Sequence, residues 1–270
     1  MVRTLINVPR VKIDVKKARS RYKDCLNDIR KHISSADNTA PDTVHDLRVS
    51  LKKTDALIAL LRFNKNNPAP KKLRAFTSLF KAAGKLRSIQ VEFDIINKHF
   101  KEDVNPNYLH QLHEMKVKRT EEYSKLLEKM PRSVKEASKP LKKKIEEITR
   151  RQILGYLHSE EKYLERRLSR SIFREQELHF VRKDLKRLYL NLLLCGHERK
   201  DLDNLVDLLG SWHDHQIAFD HVVKTIYTGQ LTEPESEPIR NIKQQLINDK
   251  ELLYVKTVSY YVANKENGQS

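Results

Sequence analysis

The chain has 270 residues, 39% of them hydrophobic, so it can bury one large core or two small ones. Its 33% charged residues and only 6 glycines favour long helices with solvated faces and argue against a phosphate-binding loop built from glycine. The formal net charge of +17 predicts an anionic partner, because such an excess of like charge opposes the compact state. Nucleic acid, an anionic membrane surface and a phosphate polymer are the candidates.

Apolar residues recur at helical spacing along almost the whole chain, which predicts an all-α fold. The first helix is predicted over about 12–36, and the second runs from an N-cap at Asp42 or Thr43 to a break at 66–70. The next two are predicted over about 71–99 and 107–129. The remaining four are predicted over about 141–158, 160–195, 200–227 and 238–264, with an exposed acidic loop at Thr232–Pro238.

The stretch from Pro131 to Pro140 is predicted to be a linker, because its two prolines and two serines interrupt the helical pattern. It would divide an N-terminal helical half, 1–130, from a C-terminal helical half, 141–264.

Membrane and export signals are missing from the sequence. The N-terminus lacks the apolar run of a signal peptide, and no stretch approaches the roughly 18 apolar residues of a membrane span. The two cysteines, Cys25 and Cys195, form no metal-binding or redox motif. We therefore expect a cytoplasmic protein with no membrane partner and with two buried, reduced thiols.

Two sequence blocks occur twice, in the same order. HDLRVSLKK at 45–53 aligns with HFVRKDLKR at 179–187, and GKLRSIQVEFD at 84–94 aligns with GSWHDHQIAFD at 210–220. The repetition predicts an internal duplication of about four helices in each half.

Each repeated His helix is predicted to have one cationic and one apolar face. At 100° per residue, His45, Arg48 and Lys52 lie within about 60° of one another. The opposite stripe of that helix is apolar and consists of Val44, Leu47, Leu51, Ile58 and Leu61. The second copy repeats the cationic face with His179, Arg182, Lys183 and Lys186. Cations so close together repel one another without a ligand, so the faces predict a polyanion site rather than a merely solvated surface.

The histidines at 45 and 179 are predicted to have lowered pKa values in the empty protein, because neighbouring cations disfavour a further proton. A bound polyanion would raise them. The alternative is that both rings stay neutral and only donate hydrogen bonds beside the ligand.

At these residues the sequence resembles the CHAD family, the conserved histidine α-helical domain. The family signature is a His-x-x-Arg-Val-x-x-basic-basic helix, repeated in a second half, with a later Gly-x-x-Arg-Asp-x-Asp-Val segment. The blocks at 45–53 and 179–187 match the first element, while 84–91 and 210–217 match the second more loosely. The resemblance covers about residues 12–262.

The resemblance implies two four-helix bundles related by pseudo-two-fold symmetry around a basic central cavity that binds inorganic polyphosphate. The residues that it assigns to the cavity are His45, Arg48, Lys52, Lys53, Arg87, His179, Arg182, Lys183, Lys186 and Arg187. The chain departs from the family pattern at Asp55 and Tyr189, where a basic residue is usual, and at His213. It also has Ser88, Gln90 and Gln216 in place of expected acids.

Two histidine pairs could suggest a metal, and neither is predicted to bind one. His213 and His215 are two positions apart, so their imidazoles point about 160° apart on a helix. His110 and His113 share a face with Glu114, but no third ligand follows from the sequence. We expect no metal, no cofactor and no catalytic residue, since no phosphate-binding or nucleophile motif occurs.

Nucleic acid is the alternative partner, because charge alone does not exclude it. The basic faces carry no interleaved aromatic residues for base stacking, and no DNA-binding helix pair stands out. Polyphosphate is therefore the favoured partner, with attachment to polyphosphate granules as a compatible role.

Overall fold

The computed structural model describes residues 12–63, 73–99, 106–170, 175–227 and 233–267. These residues form eight helices and no strand, so the predicted all-α fold is confirmed for the part of the chain described. The helices are α1 Val15–Ile33, α2 Pro41–Phe63, α3 Arg74–His99, α4 Pro106–Glu146, α5 Arg150–Arg170, α6 Glu175–Leu194, α7 Lys200–Tyr227 and α8 Glu233–Asn267. The predicted break at 66–70 lies outside the described residues.

The predicted linker at Pro131–Pro140 is wrong as an interruption of the helix, because α4 continues through both prolines. Each proline removes one backbone donor, which opposes a helix. The apolar stripe of this segment outweighs that cost, with Val134, Leu141 and Ile145 fully buried. Beyond the prolines α4 packs against α1, where the Lys142 ammonium lies 2.8 Å from the Asn27 side-chain oxygen.

The break between α4 and α5 comes instead at residues 147–149. Thr149 and Gln152 form a reciprocal cap: the Thr149 N–H donates to the Gln152 side chain at 2.8 Å. In return, the Gln152 N–H donates to the Thr149 hydroxyl at 3.3 Å. This cap explains why α5 starts at Arg150 although no proline or glycine marks the place.

Two other predicted boundaries are also wrong. The break expected between His158 and Glu160 does not occur, since the buried stripe of Leu157 and Leu164 carries α5 through it. The acidic loop expected at Thr232–Pro238 is helical from Glu233 onward. Acidic residues are favourable in the first turn of a helix, and Pro234 is tolerated there, whereas Pro238 lies beyond the first turn and removes one backbone donor.

Gly196, two residues beyond the end of α6, caps that helix and has a φ of 90°. The His197 N–H donates to the Leu192 carbonyl at 2.9 Å, and the Gly196 N–H donates to the Leu193 carbonyl at 3.0 Å. This is a Schellman cap, which requires the left-handed conformation that glycine adopts at little cost.

One continuous core joins the helices, and α2 and α6 pack directly against each other. A buried polar cluster crosses this contact at Asn191. Its side-chain nitrogen donates to the Ala56 carbonyl at 3.0 Å, and its oxygen accepts from the Tyr22 hydroxyl at 2.6 Å. The Tyr156 hydroxyl lies 3.4 Å from the same nitrogen. The cluster therefore fixes α1, α2, α5 and α6 relative to one another.

Candidate functional site

A cavity of about 530 Å³ lies between α2, α3, α6 and α7. Nine of the ten cationic residues proposed from the sequence line it, namely His45, Arg48, Lys52, Arg87, His179, Arg182, Lys183, Lys186 and Arg187. We call this cavity the basic pocket. The His helices α2 and α6 lie side by side along it, because their apolar faces are both buried in the core and their cationic faces remain open.

Lys53 is the exception, and it does not line the basic pocket. Lys53 differs in this from Arg187, which occupies the matching position of the second block and does line the cavity. The charge of Lys53 instead acts on the Cys25 thiol of α1. Burial raises the pKa of Cys25 to about 11, and nearby Lys53 opposes that rise. Both Cys25 and Cys195 are buried and free, as the sequence predicted.

Arg48 is held against α3 by the residues that face it. Its guanidinium carbon lies 5.0 Å from the centre of the Phe80 ring, within the range of a cation–π contact. A Cβ atom at Gly84 would come within 2.7 Å of the Arg48 Nη1 atom. Glycine at 84 is thus what lets the guanidinium lie close to the α3 backbone.

On the α7 side, Gly210 does not make room for Arg182 as Gly84 does for Arg48. A Cβ atom at Gly210 would meet open space, whereas the equivalent atom at Gly84 would meet Arg48. The Arg182 Nε atom is buried and has no hydrogen-bond partner within the described residues. A buried unpaired donor is costly, so an incoming acceptor would relieve that cost.

Lys52 shows how strongly the basic pocket disfavours positive charge. Burial, followed by repulsion from Lys186, Arg48 and Arg182, lowers the pKa of Lys52 to about 8. The pKa values of Arg48, Arg182 and Lys186 are also lowered, in each case by burial first. The basic pocket by itself therefore holds its positive charge at a free-energy cost, which a bound anion would remove.

The pKa values of His45 and His179 are lowered, as predicted, but the leading cause differs from the predicted one. Burial of each imidazole contributes most. Repulsion comes second, mainly from Arg87 at His45 and from Lys183 at His179. The sequence could not reveal this order, since it does not show how deep each ring lies.

The sequence did not assign His213 and Asp214 to the site, but both line the basic pocket. The His213 ring stacks on His179, with centroids 5.3 Å apart and planes inclined by 22°. Its Nδ1 atom lies 3.5 Å from the Asp214 carboxylate. Burial raises the pKa of Asp214, but His213, Arg182 and Lys52 outweigh it and the net pKa is lowered. Asp214 thus supplies a negative charge of the protein's own among the cations of the basic pocket.

Asp55 is the second carboxylate of the basic pocket, at its rim. Its side chain is 68% exposed and lies 3.8 Å from Arg187, which also contacts Asp184 at 3.4 Å. Asp55 stands where the family usually has a basic residue. Here it offsets charge on α6 instead of adding to it.

The remaining wall of the basic pocket is apolar and was not predicted. It includes Phe76, Phe80 and Val91 of α3, Ile58 of α2 and Ile217 of α7. Helical spacing could have predicted the α3 part of this wall, because positions 80, 84, 87, 88 and 91 share one face of α3. The Gly-containing block at 84–94 already includes Val91, and it could have been extended back to Phe80.

Of the two histidine pairs weighed as metal ligands, His213 and His215 are separated, as their spacing on a helix requires. His213 lines the basic pocket, whereas the Nδ1 atom of His215 is buried elsewhere without a hydrogen-bond partner in the described chain. His110 pairs with Glu114 at 3.4 Å on an exposed face. Among the described residues, no three His, Cys, Asp or Glu side chains are placed to hold a metal ion together.

None of the helices in the described ranges is both long enough and apolar enough to cross a membrane.

Fold and site together define an all-α protein with a recessed cationic pocket between two His helices. The CHAD domain model matches residues 21–223, and the chain belongs to the CHAD domain family. The resemblance noted from the His helices is therefore confirmed. The internal duplication stays a prediction.

The crystal structure of the CHAD domain from the plant Ricinus communis is similar to this chain, with a TM-score of 0.72. The match covers 98% of this chain and 96% of that one at 13% sequence identity, so it shows the fold alone. No curated protein is similar enough in sequence to count as a relative.

Proposed function

We propose that this protein binds inorganic polyphosphate in the basic pocket. The observation that carries the proposal is the convergence of nine cationic or histidine side chains on one cavity, where the pKa of Lys52 falls to about 8. A polyanion in the cavity would neutralise that charge and satisfy donors that now lack acceptors.

The two arginines and the lysines would bind the chain in different ways. Arg48 and Arg182 each present a planar guanidinium that can hold two phosphate oxygens at once. Lys52 and Lys186 would act as point charges along the chain between them. Each further phosphate would meet another cation, so affinity should rise with chain length until the pocket is full.

The recessed shape of the site favours polyphosphate over duplex nucleic acid. The cations lie inside a cavity of about 530 Å³ between four helices, which a thin flexible chain can enter. A duplex is a wide rigid body and would need the charges on a broad outer surface. Nucleic acid therefore remains the second candidate, and only the overall net charge of the protein supports it.

The proposal describes a binding protein, not an enzyme. The carboxylates of the basic pocket, Asp55 and Asp214, face Arg187 and His213, so they balance charge rather than stand ready to hold metal ions. A cytoplasmic protein of this kind would store polyphosphate or attach to polyphosphate granules. Release of orthophosphate by the pure protein with Mg²⁺ or Mn²⁺, abolished by Asp94→Asn or Asp220→Asn, would overturn this reading.

The test of the binding proposal is a ligand series at one salt concentration. Long polyphosphate, tripolyphosphate, single-stranded DNA and duplex DNA should be titrated into the protein by calorimetry. We expect the tightest binding for long polyphosphate, weaker binding for tripolyphosphate and the weakest for both DNAs. Duplex DNA binding that equals long polyphosphate at matched salt would favour the nucleic-acid alternative.

A further inference from the structure

The two walls of the basic pocket differ in a way that an inorganic chain cannot use. The α3 wall carries Phe80, whose side chain stays 38% exposed, above the buried Phe76. The α7 wall carries His213 and Asp214 instead. Inorganic polyphosphate has no apolar surface, and its two ends are identical. An aromatic ring left open inside a ligand pocket indicates a ligand with an apolar, flat part.

We propose that the basic pocket also binds nucleoside polyphosphates, with the phosphates on the cations and the base against Phe80. The inference rests on the proposed function, since it uses the same cations for the phosphates. Arg48 connects the two parts of the site, because its guanidinium lies 5.0 Å from the Phe80 ring centre. The subsites for the base and the first phosphate are therefore neighbours.

The α2 side of the same wall supplies the other groups that a nucleoside needs. Ile58 borders the apolar part of the wall and is 7% exposed. Asp55 lies one helical turn before it, with a carboxylate that is 68% exposed. A carboxylate in this position accepts hydrogen bonds from ribose hydroxyls, as it does in other nucleotide sites.

Phe80 could matter for a simpler reason, because its ring also supports the Arg48 guanidinium. The two roles predict different results. A ring that only positions Arg48 affects every phosphate ligand equally. A ring that also stacks on a base affects the nucleoside polyphosphate much more than the inorganic ligand of equal phosphate number.

The experiment compares ATP with tripolyphosphate, in the absence of divalent metal, on the wild-type protein and on Phe80→Leu. We expect wild-type protein to bind ATP at least as tightly as tripolyphosphate. Phe80→Leu should weaken ATP binding about 10-fold more than it weakens tripolyphosphate binding, since that difference is the size of one base–aromatic stack. Equal losses for the two ligands would overturn the proposal and leave Phe80 as a support for Arg48.

Phe63→Leu is the matched control, because Phe63 is 43% exposed and packs against Tyr156 outside the basic pocket. It should change neither affinity. A second variant, Phe80→Trp, keeps a stacking ring and reports on the base directly should the leucine variant fail to fold. ATP should quench its added fluorescence and tripolyphosphate should not; quenching by neither or by both contradicts a base subsite.

The outcomes separate this inference from the proposed function. If tripolyphosphate and long polyphosphate bind while ATP binds much more weakly than tripolyphosphate, only the nucleoside subsite is wrong. If none of the three binds, the proposed function is wrong as well.

Discussion

The histidines at 45 and 179 have lowered pKa values in the empty basic pocket, below the usual 6.5. A bound polyanion reverses the local field and raises both pKa values, so binding takes up protons. Affinity should therefore strengthen as pH falls from about 8 to about 6. Calorimetry near pH 6.5 in two buffers of different ionisation enthalpy measures the uptake directly.

The control for this prediction is His45→Gln with His179→Gln. That variant should lose most of the pH dependence and keep much of the affinity at pH 8. Wild-type protein that takes up no protons near pH 6.5 would show that the rings bind the ligand in their neutral form.

Lys52 is predicted to destabilise the empty protein. Its pKa of about 8 in the folded state lies below the usual 10.5. The charged form is therefore penalised below about pH 8, and the penalty fades as pH rises from about 8 to 10.5. Lys52→Met should raise the free energy of unfolding at pH 7 by about 1–3 kcal/mol, measured by urea denaturation, and should weaken polyphosphate binding.

Lys53→Met provides the comparison, because Lys53 lies outside the basic pocket and should change stability by less than about 0.5 kcal/mol. If the stability gained in Lys52→Met does not shrink between pH 8 and pH 10, the charge of Lys52 is not what destabilises the protein.

Glycine plays different roles in α3 and α7, the helices that carry the two similar Gly-containing blocks. Gly84→Ala should displace the Arg48 guanidinium, since the new Cβ would lie 2.7 Å from its Nη1 atom. Because the end of an arginine side chain can move, we expect little loss of stability but about a 10-fold loss of polyphosphate affinity. Calorimetry and thermal denaturation on the same samples separate the two effects.

Gly210→Ala is the control within the same molecule. Its Cβ would meet open space, so affinity should stay unchanged and the helix should gain about 0.5–1 kcal/mol. Equal affinity losses in both alanine variants would show that Arg48 is not held as described.

Helical periodicity predicted most elements and most of the site. The 100° spacing placed His45, Arg48 and Lys52 on one face, and all three line the basic pocket. Lys53, which only the resemblance to the family had added to the site, lies outside the basic pocket although the matching Arg187 lines it. Periodicity says which residues share a face but not what that face meets, so the depth of the histidines was not predictable.

Prolines and caps account for the errors at helix boundaries. Pro131 and Pro140 read as breaks in the sequence, yet burial of residues on the same face carries α4 past them. The real break depends on the Thr149 and Gln152 cap, whose Thr-x-x-Gln spacing is present in the sequence but is a weaker signal than two prolines. Packing energy that comes from another helix cannot be read from the local pattern.

At the scale of the whole molecule, Asn191 joins helices from both ends of the chain. Asn191→Leu would leave the Ala56 carbonyl and the Tyr22 hydroxyl without their buried partner. We expect a loss of about 2–3 kcal/mol in the free energy of unfolding, measured by urea denaturation. Asn27→Leu on the α1 surface, which loses only an exposed contact with Lys142, should change it by less than about 0.5 kcal/mol.

If Asn191→Leu unfolds at the same urea concentration as the wild type, the buried cluster does not stabilise the contact between α2 and α6. The basic pocket lies along that contact, so its geometry would then depend on the apolar core alone.

The claim that polyphosphate binds between the two His helices is tested most directly by charge reversal. Polyphosphate is titrated into wild-type protein, Arg48→Glu, Arg182→Glu and the double variant, with helicity checked by circular dichroism. The control is Lys135→Glu with Lys143→Glu, which changes the net charge by the same amount at exposed positions of α4. We predict that each single variant weakens binding, that the double variant abolishes it and that the control keeps most of it. Unchanged affinity in a well-folded double variant, or equal losses in the double variant and the control, would contradict binding in the basic pocket.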